Sequence, residues 1–173
     1  MRKILVVIDM QNDFIDGSLG TKEAVEILPR VIKKIKEYKR QDVFATRDTH
    51  GEDYLKTLEG KHLPVPHCVK DTYGWQLQSD IGELIDEKNI FNKESFGSLD
   101  LSQHLLRLSE SEELKIELVG LCTDICVISN AILIKNTLVN TDVTVDSSCS
   151  AGVTPESHKT ALASLKTLQV IVE

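Results

Sequence analysis

One turn of the chain holds the residues best suited to nucleophilic chemistry. The segment Gly120–Val127 (GLCTDICV) follows an apolar run, Leu114–Val119, and precedes a long apolar segment, Ile128–Val139. This pattern predicts a strand, a tight turn and a helix, with Cys126 in the first helical turn. Unpaired backbone amides and the helix dipole favour an anion there, so we expect a lowered pKa for the Cys126 thiol and a place for an oxyanion. The alternative is a buried structural cysteine.

Other chemically capable side chains follow three further predicted strands. They are Asp9 after Lys3–Ile8, Asp48 and His50 after Asp42–Thr46, and Lys93 after Asn89–Asn92. Ligands of open α/β sheets bind beyond the carboxyl ends of the strands. We therefore expect these side chains to meet Cys122 and Cys126 at one edge of the sheet and to form a catalytic site.

Asp9, Lys93 and Cys126 form a plausible catalytic set. A carboxylate can take the thiol proton and return it to a leaving group, and a neighbouring ammonium favours the ionised forms of both partners. Each residue also has a plainer interpretation. Asp9 can cap a turn, and Lys93 can be a solvated surface charge, which is the commonest fate of a lysine.

A second group of residues has the chemistry of a metal site. Asp48 and His50 are two residues apart, a spacing that places side chains on one side of an extended segment. His67 lies in a proline-stiffened loop that can fold back toward them. One carboxylate and two imidazoles suit a divalent metal, with positions left for water or substrate. The alternative is that the two histidines only hydrogen-bond the long loop.

The elements that must position these residues alternate between strand and helix. Further strands are predicted at Leu114–Val119, Asp142–Val145 and Gln169–Val172. Helices are predicted from Pro29 as first residue, over Leu101–Leu108, over Thr123–Leu138, and from Thr154 as N-cap with an inner stripe of Ala161, Leu162, Leu165 and Leu168. The pattern indicates an α/β fold, a three-layer α/β/α arrangement around a doubly wound, mostly parallel sheet of about six strands. Between the second and third strands, Thr49–Lys88 is expected to be a functional surface excursion with a short helix near Ser79–Asp86.

Length and composition exclude several classes of protein. A chain of 173 residues with 41% hydrophobic residues fits one domain, residues 1–173. The net charge of −7 argues against nucleic acid and anionic membranes as partners. No apolar run reaches the length of a transmembrane helix, and the four cysteines have no zinc-finger spacing. We expect a cytoplasmic protein, and the absence of GxGxxG or P-loop patterns after the first strand predicts no organic cofactor.

Three aromatic residues are candidates for the walls of a substrate pocket. Phe14, Trp75 and Phe96 stand out because only 5% of the chain is aromatic. The alternative is that such residues belong to the core.

The two longest motifs resemble those of a known family. Residues 6–14 (VVIDMQNDF), then Lys93, then residues 120–127 are similar, in order and spacing, to the isochorismatase-like cysteine hydrolases. The resemblance runs over essentially the whole chain. Residues 46–50 (TRDTH) and 66–69 (PHCV) look like the metal-site segments of the nicotinamidase/pyrazinamidase branch.

This resemblance implies a function and a set of roles. The reaction would be hydrolysis of a small carboxamide, nicotinamide to nicotinate plus ammonia, through a thioester on Cys126. The implied residues are a triad of Asp9, Lys93 and Cys126, an oxyanion hole from the backbone amides of Cys122 and Cys126, a cis peptide between Leu121 and Cys122, and Asp48, His50 and His67 as ligands of a zinc-like or iron-like ion. The resemblance also implies a homo-oligomer, a dimer or a tetramer.

The chain departs from that branch near the expected pocket. Leu63, Pro64 and Val65 stand where those enzymes often carry a tryptophan, and the segment after Lys93 is short. These departures leave open another small amide as substrate. An isochorismatase-like activity and a non-catalytic ligand-binding protein that retains the triad are further alternatives. The sequence also leaves open whether Gln11, Asp13 and Asp124 orient the triad or only cap turns.

Overall fold

A six-stranded, all-parallel sheet runs through the centre of the computed structural model, which describes all 173 residues. The strands are β1 (Arg2–Ile8), β2 (Val43–Asp48), β3 (Ile90–Lys93), β4 (Leu114–Leu121), β5 (Asp142–Ala151) and β6 (Ile171–Val172). Their spatial order is β3-β2-β1-β4-β5-β6, and every neighbouring pair is parallel. The predicted doubly wound sheet of about six strands is confirmed. Its central strands β1 and β4 are covered on both faces, which explains their continuous apolar runs.

Helices cover the two faces of the sheet. They are α1 (Asn12–Ile15), α2 (Lys22–Ile35), α3 (Leu58–His62), α4 (Ser79–Gly82), α5 (Leu99–Ser109), α6 (Ile128–Thr137) and α7 (Pro155–Thr167). One core cluster packs α2 and α4 against the sheet, and the other packs α5, α6 and α7 against its opposite face. None of these helices combines the length and apolar character that crossing a membrane requires.

Pro29 lies inside α2, so its prediction as the first helical residue is wrong. The helix begins about two turns earlier because the Thr21 side chain caps it, accepting a hydrogen bond from the Ala24 amide at 3.0 Å. Proline in a helix interior frees the carbonyl four residues before it, here that of Val25. Since Val25 lies on the exposed side of the helix, water can satisfy that carbonyl.

The last helix follows its predicted start but not all of its predicted stripe. Thr154 caps α7 in a capping box with Ser157, and Pro155 occupies the first turn. Ala161 and Leu165 are buried, as expected. Leu168 is exposed because α7 ends at Thr167, so its assignment to the inner stripe is wrong.

Candidate active site and metal-binding cluster

The carboxyl ends of the first four strands bring the candidate residues together at one edge of the sheet. Asp9 directly follows β1, Asp48 ends β2 and Lys93 ends β3. Cys126 lies in a π-helical turn that joins β4 to α6. The parallel topology therefore places all four side chains at the edge where the sequence predicted a site.

Lys93 is the centre of this arrangement. Its Nζ lies 2.7 Å from Oδ2 of Asp9, 3.1 Å from Oδ1 of Asp48 and 3.5 Å from Sγ of Cys126. All four residues are buried. A lysine held among two carboxylates and a thiol is not a solvated surface charge, so the plainer interpretation of Lys93 is excluded.

Asp9 is held by both its backbone and its side chain. Its φ of 46° lies in the left-handed region, which a non-glycine residue adopts at a cost of about 1–3 kcal/mol. The Thr46 hydroxyl donates to Oδ1 of Asp9 at 2.6 Å, and Lys93 faces Oδ2. The carboxylate caps no helix, because the residue at the N-cap of α1 is Gln11. The surrounding structure thus aims Asp9 at the Lys93 ammonium.

Burial and charge act in opposite directions on Asp9 and Lys93. Burial raises the pKa of the Asp9 carboxyl above its usual value, and the positive charge of Lys93 only partly offsets this rise. Burial alone would lower the pKa of Lys93, but the negative charges of Asp9 and Asp48 outweigh it and raise the pKa. Lys93 is therefore an ammonium beside a carboxylate that binds protons more readily than usual.

The pKa of the Cys126 thiol is raised well above its usual value, so the predicted lowering is wrong. Complete burial is the largest cause, and the negative charge of Asp9 adds to it. The ammonium of Lys93 works in the expected direction but does not prevail. Cys126 consequently rests as a thiol and needs a base to remove its proton.

The turn that carries Cys126 is closed by its own backbone. The amides of Ile125 and Val127 both donate to the Cys122 carbonyl at 3.0 Å. Oδ1 of Asp124 accepts from the Val153 amide at 3.1 Å, which ties the turn to the loop before α7. The peptide bond between Leu121 and Cys122 is cis, as the family resemblance implied.

Four side chains next to the triad form a cluster suited to a metal ion. The potential ligand atoms of Asp48, His50, Glu59 and His67 all lie within 4.8 Å of one another. Oδ2 of Asp48 is 2.9 Å from Nε2 of His50 and 3.5 Å from Nε2 of His67. The structure therefore brings together the three predicted ligands and adds a fourth, the carboxylate of Glu59.

Glu59 is the member that sequence reasoning missed. Its Oε1 lies 3.7 Å from Nε2 of both His50 and His67. In the sequence, Glu59 follows Thr57, which caps α3, and an acidic residue in a first helical turn has an ordinary explanation in the helix dipole. A usable signal was its position within the long excursion that also carries His67.

Hydrogen bonds orient the imidazole rings and the loops that bear them. Nδ1 of His67 pairs with the Val65 carbonyl at 2.8 Å, which leaves Nε2 for the cluster. The next residue, Cys68, has a φ of 45°, and its amide donates to Oδ2 of Asp13 at 2.8 Å. Asp13 therefore anchors the loop of His67 through Oδ2, while its Oδ1 accepts from the Ser18 amide at 3.4 Å just after α1.

Gln11 holds the other loop of the cluster. Its side chain donates to the Asp48 carbonyl at 2.8 Å and accepts from the Asp48 amide at 2.7 Å. Its amide nitrogen also donates to the Trp75 carbonyl at 2.8 Å. Because Gln11 is completely buried, these bonds fix the backbone from which the Asp48 carboxylate projects.

Charges inside the cluster shift the pKa values of its members. Burial alone would raise the pKa of Asp48, but hydrogen bonds from His50 and His67 and the charge of Lys93 lower it below its usual range. Burial alone would lower the pKa of His67, and its bond to Asp48 raises it instead. Asp48 is thus a carboxylate, and protonation of His67 competes with metal binding.

A mostly apolar cavity of about 220 Å³ opens onto Cys126 and the cluster. Phe14, Phe96, Leu63 and Ile125 contribute apolar walls, while the reactive side includes Cys122, Cys126, Asp48, Glu59 and His67. Two of the three predicted aromatic residues, Phe14 and Phe96, line this cavity.

Trp75 does not line the cavity, so its predicted place in the pocket wall is wrong. The guanidinium carbon of Arg47 lies 3.7 Å from the centroid of its ring. Its Nε1 donates to the Thr49 hydroxyl at 2.8 Å. Trp75 instead secures the start of the excursion against β2 by a hydrogen bond and a cation–π contact.

This fold is shared with a family of known proteins. The family model described as Isochorismatase domain matches residues 3–173, and the chain belongs to this family. A Bacillus subtilis (strain 168) protein described as "Uncharacterized isochorismatase family protein PncA" is 32% identical over 146 residues, which cover 76% of this chain and 78% of that protein. The family resemblance seen in the motifs is confirmed.

Solved structures of similar proteins have the same fold. A pyrazinamidase/nicotinamidase from Streptococcus mutans UA159 superposes with a TM-score of 0.83 at 26% identity, covering 99% of this chain and all (100%) of that one. The pyrazinamidase of Pyrococcus horikoshii in complex with zinc superposes with a TM-score of 0.78 at 24% identity, covering 100% of this chain and 99% of that one.

Proposed function

We propose that this protein hydrolyses a small aromatic carboxamide, nicotinamide to nicotinate plus ammonia, through a thioester on Cys126. One observation carries the proposal: a buried Lys93 ammonium contacts both Asp9 and Cys126 beside a small apolar cavity. A base, a nucleophile and a charge that balances them are the components of nucleophilic catalysis on a carbonyl carbon. The names of the S. mutans and P. horikoshii proteins support an amide substrate.

In the first half of the reaction, Asp9 takes the proton of the Cys126 thiol and the sulfur attacks the carbonyl carbon. The raised pKa of Asp9 makes it a stronger base for this transfer. Lys93 keeps its charge and stabilises the negative charge that moves between carboxylate and sulfur. The backbone amides of Cys122 and Cys126 are the proposed donors to the developing oxyanion.

In the second half, Asp9 returns the proton to the nitrogen as the carbon–nitrogen bond breaks. Ammonia leaves, and the acyl group remains on Cys126 as a thioester. Asp9 then takes a proton from water, whose oxygen attacks the thioester and releases the carboxylic acid. The proton on Asp9 restores the Cys126 thiol.

The cluster of Asp48, His50, Glu59 and His67 fits a divalent ion such as zinc or iron. Its two imidazole nitrogens and two carboxylates are donors that both metals accept, and the donor atoms lie within 4.8 Å of one another. A bound ion supplies a Lewis-acid anchor for a ring nitrogen of the substrate. The zinc held by the P. horikoshii protein supports this part of the proposal.

The cavity limits the size and charge of the substrate. Its volume of about 220 Å³ lies below the roughly 300–1,000 Å³ of pockets for drug-sized ligands, so it suits a single small ring. No lysine or arginine lines it, which favours a neutral amide over an acid such as isochorismate. Because Leu63 rather than Trp75 lines the wall, another small amide is the second candidate substrate.

Ammonia release from nicotinamide tests the proposal directly. We expect release by the purified protein, loss after chelation, and recovery when Zn²⁺ or Fe²⁺ is restored. Benzamide is the matched control, because it keeps the carboxamide and ring shape but lacks the ring nitrogen, and it should react far more slowly. No release from nicotinamide, with Cys126 alkylated no faster than Cys149, would contradict the proposal and favour a ligand-binding protein.

A further inference from the structure

Tyr54 lies against both imidazoles of the metal-binding cluster. Its side chain is almost completely buried, with 1% exposure. The ring centroid is 4.7 Å from that of His50 and 5.0 Å from that of His67, and both contacts are edge-on. Such contacts restrict the rotation of the two imidazoles, so the orientation of both depends on this one ring.

The same residue reaches the wall of the catalytic cavity. The Tyr54 hydroxyl donates to the Leu63 carbonyl at 2.9 Å, and Leu63 lines the cavity. Leu63 is 38% exposed and lies just beyond the end of α3, where its amide donates to the Glu59 carbonyl at 2.8 Å and its carbonyl also accepts from the Val65 amide at 2.8 Å. Tyr54 therefore connects the position of the pocket wall to that of the cluster.

The backbone of Tyr54 supports the short helix that carries Glu59. Its carbonyl accepts from the Thr57 hydroxyl at 2.7 Å and from the Thr57 amide at 2.9 Å. Gly60 packs so closely that a Cβ there would lie 2.1 Å from the Tyr54 oxygen. The first turn of α3 therefore packs on the backbone of Tyr54, and this contact helps to position the Glu59 carboxylate.

We infer that Tyr54 is a positioning residue that holds the metal-binding cluster and the adjoining pocket wall in a fixed position relative to each other. Its ring orients His50 and His67, its backbone supports the helical turn that carries Glu59, and its hydroxyl donates a hydrogen bond to the Leu63 carbonyl. The inference rests on the proposed function, because it takes the cluster to be a metal site. It does not require that nicotinamide be the substrate.

Zinc affinity measured on the full chain by competition with a chromophoric chelator tests the first two roles. Tyr54→Leu removes the ring contacts, and we expect zinc to bind about 10–100-fold more weakly, as when other supports of metal ligands are lost. Tyr73→Leu is the matched control, since Tyr73 lies in the same excursion but is exposed. Circular dichroism shows whether each variant is folded, and a folded Tyr54→Leu with unchanged zinc affinity would overturn the inference.

Two milder variants keep the test decisive if Tyr54→Leu does not fold. Thr57→Val removes both the hydroxyl bond to the Tyr54 carbonyl and the cap on the Gly60 amide, which together hold the first turn of α3 on Tyr54, and we expect zinc affinity to fall severalfold. Tyr54→Phe keeps the ring but removes the hydroxyl bond to the Leu63 carbonyl, so zinc affinity should be retained while KM for nicotinamide rises with kcat little changed. Unchanged zinc affinity in the first variant and unchanged KM in the second would together overturn the inference.

The outcomes also separate this inference from the proposed function. If the wild-type protein binds zinc but releases no ammonia, the proposed activity fails while the zinc measurements still decide the role of Tyr54. If the wild-type protein binds neither zinc nor iron, the metal part of the proposed function fails and the inference falls with it.

Discussion

Cys126 shows how burial can reverse the effect of a neighbouring charge on a single side chain. The sequence indicates a thiol at the start of a helix near a lysine, and both features lower a thiol pKa. Complete burial and the charge of Asp9 raise it instead. Burial depends on how β4, α5 and α6 pack, so the sign of the shift is a property of the fold rather than of the motif.

Replacing the proposed nucleophile should abolish turnover without unfolding the chain. We expect Cys126→Ala to release no ammonia, because the proposed thioester forms on the Cys126 sulfur, while its circular dichroism spectrum matches that of the wild type. Cys149→Ala is the control, since Cys149 is also buried but lies outside the cavity. Retained activity in Cys126→Ala would exclude it as the nucleophile.

The raised pKa of Asp9 predicts the acid side of the pH–rate profile. The reaction needs Asp9 as a carboxylate, so kcat/KM should fall as the pH drops through its pKa, which burial places above the ordinary value of about 4. The observed midpoint belongs to the coupled triad rather than to Asp9 alone. Zinc occupancy must be checked at each pH, because protonation of His67 competes with the metal. If zinc stays bound and kcat/KM falls only at or below pH 4, the assignment of Asp9 as the base is contradicted.

Individual residues differ in how well a sequence reveals them. Asp9, Lys93 and Cys126 were recognisable because Asp9 and Lys93 lie at the ends of recognisable strands, Cys126 lies in the turn after another, and parallel strands end at one edge. Glu59 and Tyr54 were missed because they lie in an excursion without strong periodicity. Their importance depends on where that excursion folds back, which single-residue chemistry does not indicate.

At the scale of elements, Gly120 controls how closely β4 approaches β1. Its φ is +118°, and a Cβ there would lie 2.2 Å from the Ile8 carbonyl oxygen. We expect Gly120→Ala to lower the free energy of unfolding by roughly 2–5 kcal/mol, through backbone strain and a steric clash. Activity should fall too, because Asp9 follows Ile8 directly.

Gly82→Ala is the matched control for this prediction. A Cβ at Gly82 would meet its nearest neighbour, the Leu77 Cβ, at an ordinary 3.8 Å. Its effect on stability should lie between neutral and a gain of about 1 kcal/mol. Urea unfolding of both variants measures the difference, and equal midpoints would contradict the interpretation of Gly120.

The excursion between β2 and β3 contains one residue that supports the fold and one that shapes the pocket. Trp75→Phe should lower the free energy of unfolding by about 1–3 kcal/mol, since the bond to Thr49 and the contact with Arg47 are weakened, and leave KM unchanged. Leu63→Ala should do the opposite, raising KM about fivefold with little loss of stability. A raised KM in Trp75→Phe would contradict this assignment and indicate that Trp75 contributes to the pocket.

Element types were predictable where periodicity was strong, and boundaries were not. The six strands were recognised from apolar runs, but β5 continues to Ala151, six residues beyond its predicted end at Val145. Its second half, Asp146–Ala151, is largely polar, and it joins the sheet beside β4 after a register shift. Tertiary pairing, rather than local propensity, determines such a segment.

For the whole molecule, alternation of strand and helix sufficed to predict the layers and the edge that carries the site. The same alternation says nothing about association between chains, so the homo-oligomer implied by the family resemblance stays a prediction. Sedimentation of the purified protein measures it.

Metal binding should also stabilise the whole molecule. An ion that binds the folded chain at 100 times its Kd adds about 2.7 kcal/mol, and roughly 2–4 °C in Tm per kcal/mol is typical at this chain length. We therefore expect chelation to lower Tm by about 5–10 °C and Zn²⁺ to restore it. The Tm of His67→Ala should not change on chelation or on addition of Zn²⁺. If its Tm changes as much as that of the wild type, the ion binds elsewhere.

The strand order has a consequence for how the protein acquires activity. Asp9 and Cys126 follow the two central strands, which are neighbours in space but separated by more than a hundred residues of chain. Parallel strands cannot pair through a local hairpin. The chain must therefore close a long loop, with a loss of entropy, before the contacts between these two strands can stabilise it. Regain of hydrolysis after dilution from denaturant should therefore coincide with the slowest formation of tertiary structure, and partly refolded chains should be inert rather than weakly active.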